Sequence, residues 1–178
     1  MTEIRHQDAF PPFDLERIAF PETEHYDLAH GQATAKMAKF ILEGWGDEHN
    51  TVTNHRALWA AALFHDLGRR EPWNREDPAH ARHSAECFER VIRADPVLWH
   101  EEALRETAAR LIANHDRAPE PGNPLAVALH DADALEAARI CPGTPEGLVH
   151  FRARTAGLLT PWVREPDKLR RYMESRGW

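Results

Sequence analysis

Residues 57–64 read ALWAAALF, an apolar run without a break. At 3.6 residues per turn, such a run is apolar on every side of a helix. A helix of that kind needs cover all round, so it belongs at the centre of its domain. It is far shorter than the roughly 20 residues that span a bilayer. The rest of the chain must therefore supply elements that pack around it. The run leads directly into His65-Asp66-Leu67-Gly68. A carboxylate at the buried end of an apolar helix is costly unless it is paired or bound to a metal. The central helix thus carries both a packing demand and a charge that needs a partner.

The surrounding sequence reads as helices broken by Pro, Gly and Asn. HYDLAHGQATAKMAKFILEGWG (25–46) repeats apolar residues Ala33, Met37, Phe40 and Ile41 at spacings of three and four, and Gly44 and Gly46 stop it. NHRALWAAALFHDLG (54–68) is the central helix, with Gly68 as its stop. PAHARHSAECFERVIRAD (78–95) starts near Pro78 and ends at Asp95-Pro96. PVLWHEEALRETAARLIANHDR (96–117) gathers Leu104, Ala108, Leu111 and Ile112 on one face. LAVALHDADALEAARI (125–140) runs to Pro142-Gly143, and two further helices are expected near 146–159 and 165–177. No convincing set of period-two strands is present. The predicted fold is all-α, a compact single-domain multi-helix bundle over residues 21–178, preceded by a loosely packed Pro-rich arm over 1–20.

Composition narrows the function classes. A net charge of −7 and a pI near 5.9 argue against a surface that coats nucleic acid. Cys87 and Cys141 form no CxxC pair, so neither a disulfide framework nor a zinc knuckle is expected, and a reducing cytoplasm fits. The start, MTEIRHQDAFPPFD, has no apolar core of a secretory signal, and no apolar stretch reaches membrane-spanning length. There is no glycine-rich phosphate loop and no GxSxG.

The chain holds twelve histidines, and position must sort them. His30, His65-Asp66, His83, His115 and the Asp131/Asp133 pair fall inside or at the ends of different predicted helices. A helical bundle can focus such residues on one point, and bundle metal sites are built that way. Imidazole nitrogen and carboxylate oxygen without thiolate suit zinc, iron, manganese, nickel or cobalt. His83 competes with His80, one turn earlier on the same side, and the HSAECFERVI context favours His83. Arg69 and Arg117 follow the proposed ligands closely and are candidates to hold phosphate oxygens, because guanidinium pairs with phosphate through two hydrogen bonds.

Taken in order, AHGQATAKMAKFI, ALFHDLGR, ARHSAECFERVI, LIANHDR and ALHDADALEAAR resemble the HD-domain superfamily of metal-dependent phosphohydrolases, whose minimal pattern is H…HD…D. The resemblance runs from about His30 to Arg139. It implies an all-helical core and metal-activated attack of water on a phosphate ester. Carried over by position, His30, His65, Asp66 and Asp133 would hold a divalent ion. Asp131 is the alternative closing ligand, and the ADAL context favours Asp133. His83 and His115 match the extra histidines of the H…HD…H…H…D subgroups. They would either bind a second ion bridged by Asp66 or contact the substrate phosphate beside a single ion, with Asp66 accepting the proton of the attacking water. The implied partner is a small phosphorylated substrate, a nucleotide among the candidates. A homo-oligomer stays open. Two other readings also stay open: a di-iron oxygenase on the same scaffold, suggested by Glu24 and Tyr26 just before His30, and a metal-binding module without turnover.

Overall fold

The computed structural model describes residues 26–43, 48–71, 76–94, 99–120 and 122–140, with 137–140 as backbone. The expected arm over 1–20, the stops at Gly44, Gly46, Asp95-Pro96 and Pro142-Gly143, Glu24 and Cys141, and the two C-terminal helices lie outside the described residues. Within them the chain forms α1 (Leu28–Glu43), α2 (Val52–Phe64), α3 (His80–Ala94), α4 (Glu102–Asn114) and α5 (Pro124–Ile140), and no strand. The fold is all-α, as the sequence implies. No described helix is long and apolar enough to cross a membrane.

Local chemistry explains where the helices begin. The Asp27 carboxylate accepts hydrogen bonds from the backbone N–H groups of Ala29 (2.9 Å) and His30 (3.2 Å), which starts α1. Thr51 caps α2 by accepting from the Asn54 N–H at 3.2 Å. Asn123 accepts from the Ala126 N–H at 3.1 Å, and Pro124 opens α5, where its missing N–H costs nothing. In α3 the buried residues Ala81, Ser84, Cys87, Phe88, Val91 and Ile92 recur at three and four, so one stripe faces inward.

The central-helix expectation holds. Helix α2 packs against α1, α3, α4 and α5, and Ala57, Leu58 and Ala60 through Phe64 are all buried. Beneath its C-terminal end, Phe64, Phe88 and Trp99 form an aromatic cluster with ring centroids 5.1–6.2 Å apart. Trp99 sits in a turn ahead of α4, which begins at Glu102 rather than near Pro96. Its indole fills the core from outside any helix, an outcome that helical periodicity does not capture.

Two glycines mark places where backbones touch. A Cβ on Gly31 would lie 3.2 Å from the Leu63 carbonyl oxygen, so α1 and α2 meet closely beside His30. A Cβ on Gly68 would lie 2.2 Å from both His83 C and Ser84 N. The turn that ends α2 is therefore pressed onto the backbone of α3, and the Gly68 N–H donates to Ser84 Oγ at 2.8 Å. Gly68 does follow the end of α2, but contact with α3 is what excludes a side chain there.

Candidate metal centre

Five helices bring their polar residues to one place. His30 lies in the first turn of α1, and His65 is the C-terminal cap of α2, with Asp66 next to it in the turn. His80 is the first residue of α3, His115 caps the C-terminus of α4, and Asp133 lies within α5. The side chains of His30, His65, Asp66 and His115 are nearly inaccessible to solvent.

Three of the rings are held in the same manner. His65 Nδ1 lies 2.7 Å from the Ala62 carbonyl oxygen, His80 Nδ1 2.6 Å from that of Asp77, and His115 Nδ1 2.8 Å from that of Ile112. A carbonyl only accepts, so each Nδ1 carries the proton and donates it. For His65 and His115 the acceptors are carbonyls in the last turn of a helix, and that of Ile112 also takes the His115 backbone N–H at 3.4 Å. In its neutral form each ring then turns its Nε2 lone pair to the centre, the arrangement that metal-binding histidines require.

The Nε2 atoms face one another at close range, and His30 joins them with its own Nε2. His30 Nε2 is 3.2 Å from His65 Nε2, and His80 Nε2 is 3.0 Å from His115 Nε2. Two lone pairs at that separation repel unless a cation, a proton or a metal ion, lies between them. Asp133 Oδ1 closes the first pair, 3.1 Å from His30 Nε2 and 3.3 Å from His65 Nε2. Asp66 lies between the two pairs. Its Oδ2 faces His65 (3.6 Å) and His30 (3.9 Å), while its Oδ1 faces His80 (3.5 Å) and His115 (3.6 Å). Oδ1 is buried and has no hydrogen bond of normal length, although nitrogen groups surround it. Ligands about 2.0–2.2 Å from a common ion stand roughly 3–3.5 Å from each other. The donor types and spacings could hold metal ions in two groups, His30, His65 and Asp133, and His65, Asp66 and His115, with His80 Nε2 beside the second, 3.0 Å from His115 and 3.5 Å from Asp66 Oδ1.

The electrostatics follow from the same contacts. Burial works to lower the His65 pKa, but the Asp66 and Asp133 carboxylates overcome it and push the group up to about 9. Burial likewise works to raise the Asp66 and Asp133 carboxyls, and the adjacent imidazoles, His65 foremost, hold both below the ordinary carboxylate range. Burial lowers the His80 pKa, which favours its neutral form. The protein supplies compact negative charge surrounded by basic nitrogen, a setting in which protons and metal ions compete.

The structure brings together His30, His65, Asp66, His115 and Asp133 of the residues singled out in the sequence. It does not bring His83. Among the described residues, His80 meets His115 and Asp66, and the half-buried His83 has an Nδ1 without a hydrogen-bond partner. The difference in placement has a physical reason. Positions 80 and 83 differ by only about 60° around a helix but by about 4.5 Å along it. Gly68 sits against the backbone of His83 and Ser84, and this contact levels His80, one turn earlier, with Asp66. Asp131 is fully buried with Oδ1 3.4 Å from His130 Nδ1, whereas Asp133 faces the two imidazoles. Reading the sequence also missed the role of Tyr26, whose hydroxyl donates to the Leu63 carbonyl at 2.8 Å and ties α1 to the end of α2. A tyrosine four residues before His30 was its only signal.

Of the two arginines, Arg69 is turned onto the centre, with Nη2 3.5 Å from Asp66 Oδ1. Arg117 is exposed and donates to Asn114 Oδ1 at 3.2 Å. It borders a cavity of about 320 Å³ that is also lined by His115, Arg110, Asn114, Leu129 and His130. The cavity therefore adjoins the His115 ring, and its lining carries Arg110, Arg117 and Glu120.

A family model described as HD domain matches residues 16–138 of the chain. No curated protein and no solved structure matches it.

Proposed function

Because the chain belongs to the HD-domain family of metal-dependent phosphohydrolases, we propose that it hydrolyses a phosphate monoester or diester of a nucleotide or other small molecule at a two-ion centre. The observation that supports this most is the close approach of imidazole Nε2 atoms on either side of Asp66, 3.2 Å for His30 and His65 and 3.0 Å for His80 and His115, with Nδ1 of His65, His80 and His115 each held by a backbone carbonyl. His30, His65, Asp133 and Asp66 Oδ2 would hold one ion. His80, His115 and Asp66 Oδ1 would hold the other, so that Asp66 bridges. Bound divalent ions of manganese, iron, nickel, cobalt or zinc would supply acidified water and polarise a phosphoryl oxygen.

The chain's own groups then have defined tasks. The carbonyls of Ala62, Asp77 and Ile112 keep three rings in one tautomer and one orientation. Asp66, low in basicity, stays ionised and balances positive charge. Arg117 at the cavity rim is suited to a phosphate oxygen or a second anionic group, and the cavity beside His115 to the organic part of the ester.

The test begins with metal content per chain in protein purified without chelator or affinity-tag metal, beside His65→Ala and Asp66→Ala. About two transition-metal ions in the wild type, lost from both variants, with turnover of at least one ester in a phosphate-ester and nucleotide screen, is the expected result. No metal in the wild type and none on reconstitution would sink the reading. Bound metal without turnover under any of the five metals would point to a non-catalytic module. Iron with oxygen consumption would point to the oxygenase.

A further inference from the structure

The two halves of the centre differ in charge. The His30–His65 half has two carboxylate oxygens, Asp133 Oδ1 and Asp66 Oδ2. The His80–His115 half shares only Asp66 Oδ1, and that oxygen also faces a guanidinium: Arg69 Nη2 lies 3.5 Å away, on a side chain only 11% exposed. An arginine keeps its charge at any working pH. We propose that Arg69 is a built-in competitor for the second cation position, balancing Asp66 Oδ1 until a divalent ion takes that oxygen, so that the two ions bind in sequence and with unequal affinity. The inference rests on the two-ion reading above.

The geometry sets the order. A cation held by Asp66 Oδ1 would stand no more than about 6 Å from the guanidinium. Repulsion at that range is weakly screened in a nearly buried site. The Arg69 backbone is fixed by its N–H bond to the Asp66 carbonyl (3.0 Å), so relief must come from the side chain swinging outward. The His30–His65 half has no such competitor among the described residues and fills first. Arg69 acts on the ion through Asp66 and is a positioning residue.

Calorimetric titration of Mn²⁺ or Zn²⁺ into chelator-stripped wild type, Arg69→Gln and Arg69→Lys tests this. The wild type should show two steps, the second weaker by about tenfold or more. In Arg69→Gln the second step should tighten by about tenfold or more, while the first changes by less than about twofold. Arg69→Lys keeps the charge and should keep the weak second step. If glutamine disturbs the turn, Arg69→Met makes the same prediction. A wild type that binds one ion beside a Gln variant that binds two would also support the inference. Two ions in both with an unchanged or weaker second step, or one ion in both, would overturn it while leaving a metal centre in place. Equal tightening in Lys and Gln would overturn it too, because charge would not be the cause. Failure of every protein to bind metal would instead refute the metal centre itself, and the inference with it.

Discussion

Gly68→Ala tests whether contact between the α2 turn and α3 sets the height of His80. The added Cβ would stand 2.2 Å from His83 C and Ser84 N, more than an ångström inside ordinary contact, and both are backbone atoms that cannot rotate away. Either the turn or α3 must move. Overpacking of this kind costs about 1–3 kcal/mol, and weakening the bond from the Gly68 N–H to Ser84 Oγ adds about 1 kcal/mol. A loss of about 2–4 kcal/mol lowers the melting temperature by roughly 5–15 °C for a chain of this size. The same shift carries His80 away from Asp66 and His115, so metal content should fall toward one ion per chain. Gly122→Ala is the control, since nothing lies within 4 Å of its Cβ. Differential scanning calorimetry and metal analysis of the three proteins give the answer. If Gly68→Ala melts with the wild type and keeps two ions, the close contact does not position His80 and the argument fails.

Three further outcomes are expected. His80→Ala should lose one of two bound ions while His83→Ala keeps both; the reverse pattern would restore His83 as the ligand. Tyr26→Phe leaves the Leu63 carbonyl without its donor and should cost about 1–3 kcal/mol in urea unfolding, and an unchanged midpoint would show that water replaces the hydroxyl. The third concerns pH. His65 is more basic folded, at about 9, than its ordinary 6.5. Protonated His65 therefore stabilises the metal-free protein fully below pH 6.5, and this contribution is lost as pH rises through about 9. Chelator-treated protein should lose stability across that window, and saturating metal, which replaces the proton, should remove the loss. Parallel curves with and without metal would contradict this.

Much of the centre was legible in the chain because helical periodicity and burial cost are local properties. ALWAAALF had to be central, and an aspartate at its end had to have a partner. His30, His65, Asp66, His115 and Asp133 follow from that logic and from the order of the motifs, and the structure brings them together. The choice between His80 and His83 was not legible. The two lie on nearly the same side of α3, and sequence gives the angle around a helix without giving its height against a neighbour.

That height comes from contacts between distant segments. Gly68 touches the backbone of Ser84, sixteen residues away, and no pattern within α3 contains this information. The placement of Trp99 outside a helix, the tie from Tyr26 to Leu63 and the closeness of Arg69 to Asp66 Oδ1 are of the same kind. The sequence by itself determined the all-helical fold, the central helix and the residue types gathered at the candidate centre, since these depend on periodicity and on the desolvation of charge. Only the tertiary structure decided which imidazoles pair, how Asp66 divides its two oxygens and which half of the centre an arginine opposes, because these depend on how far one backbone slides along another before side chains and backbones collide.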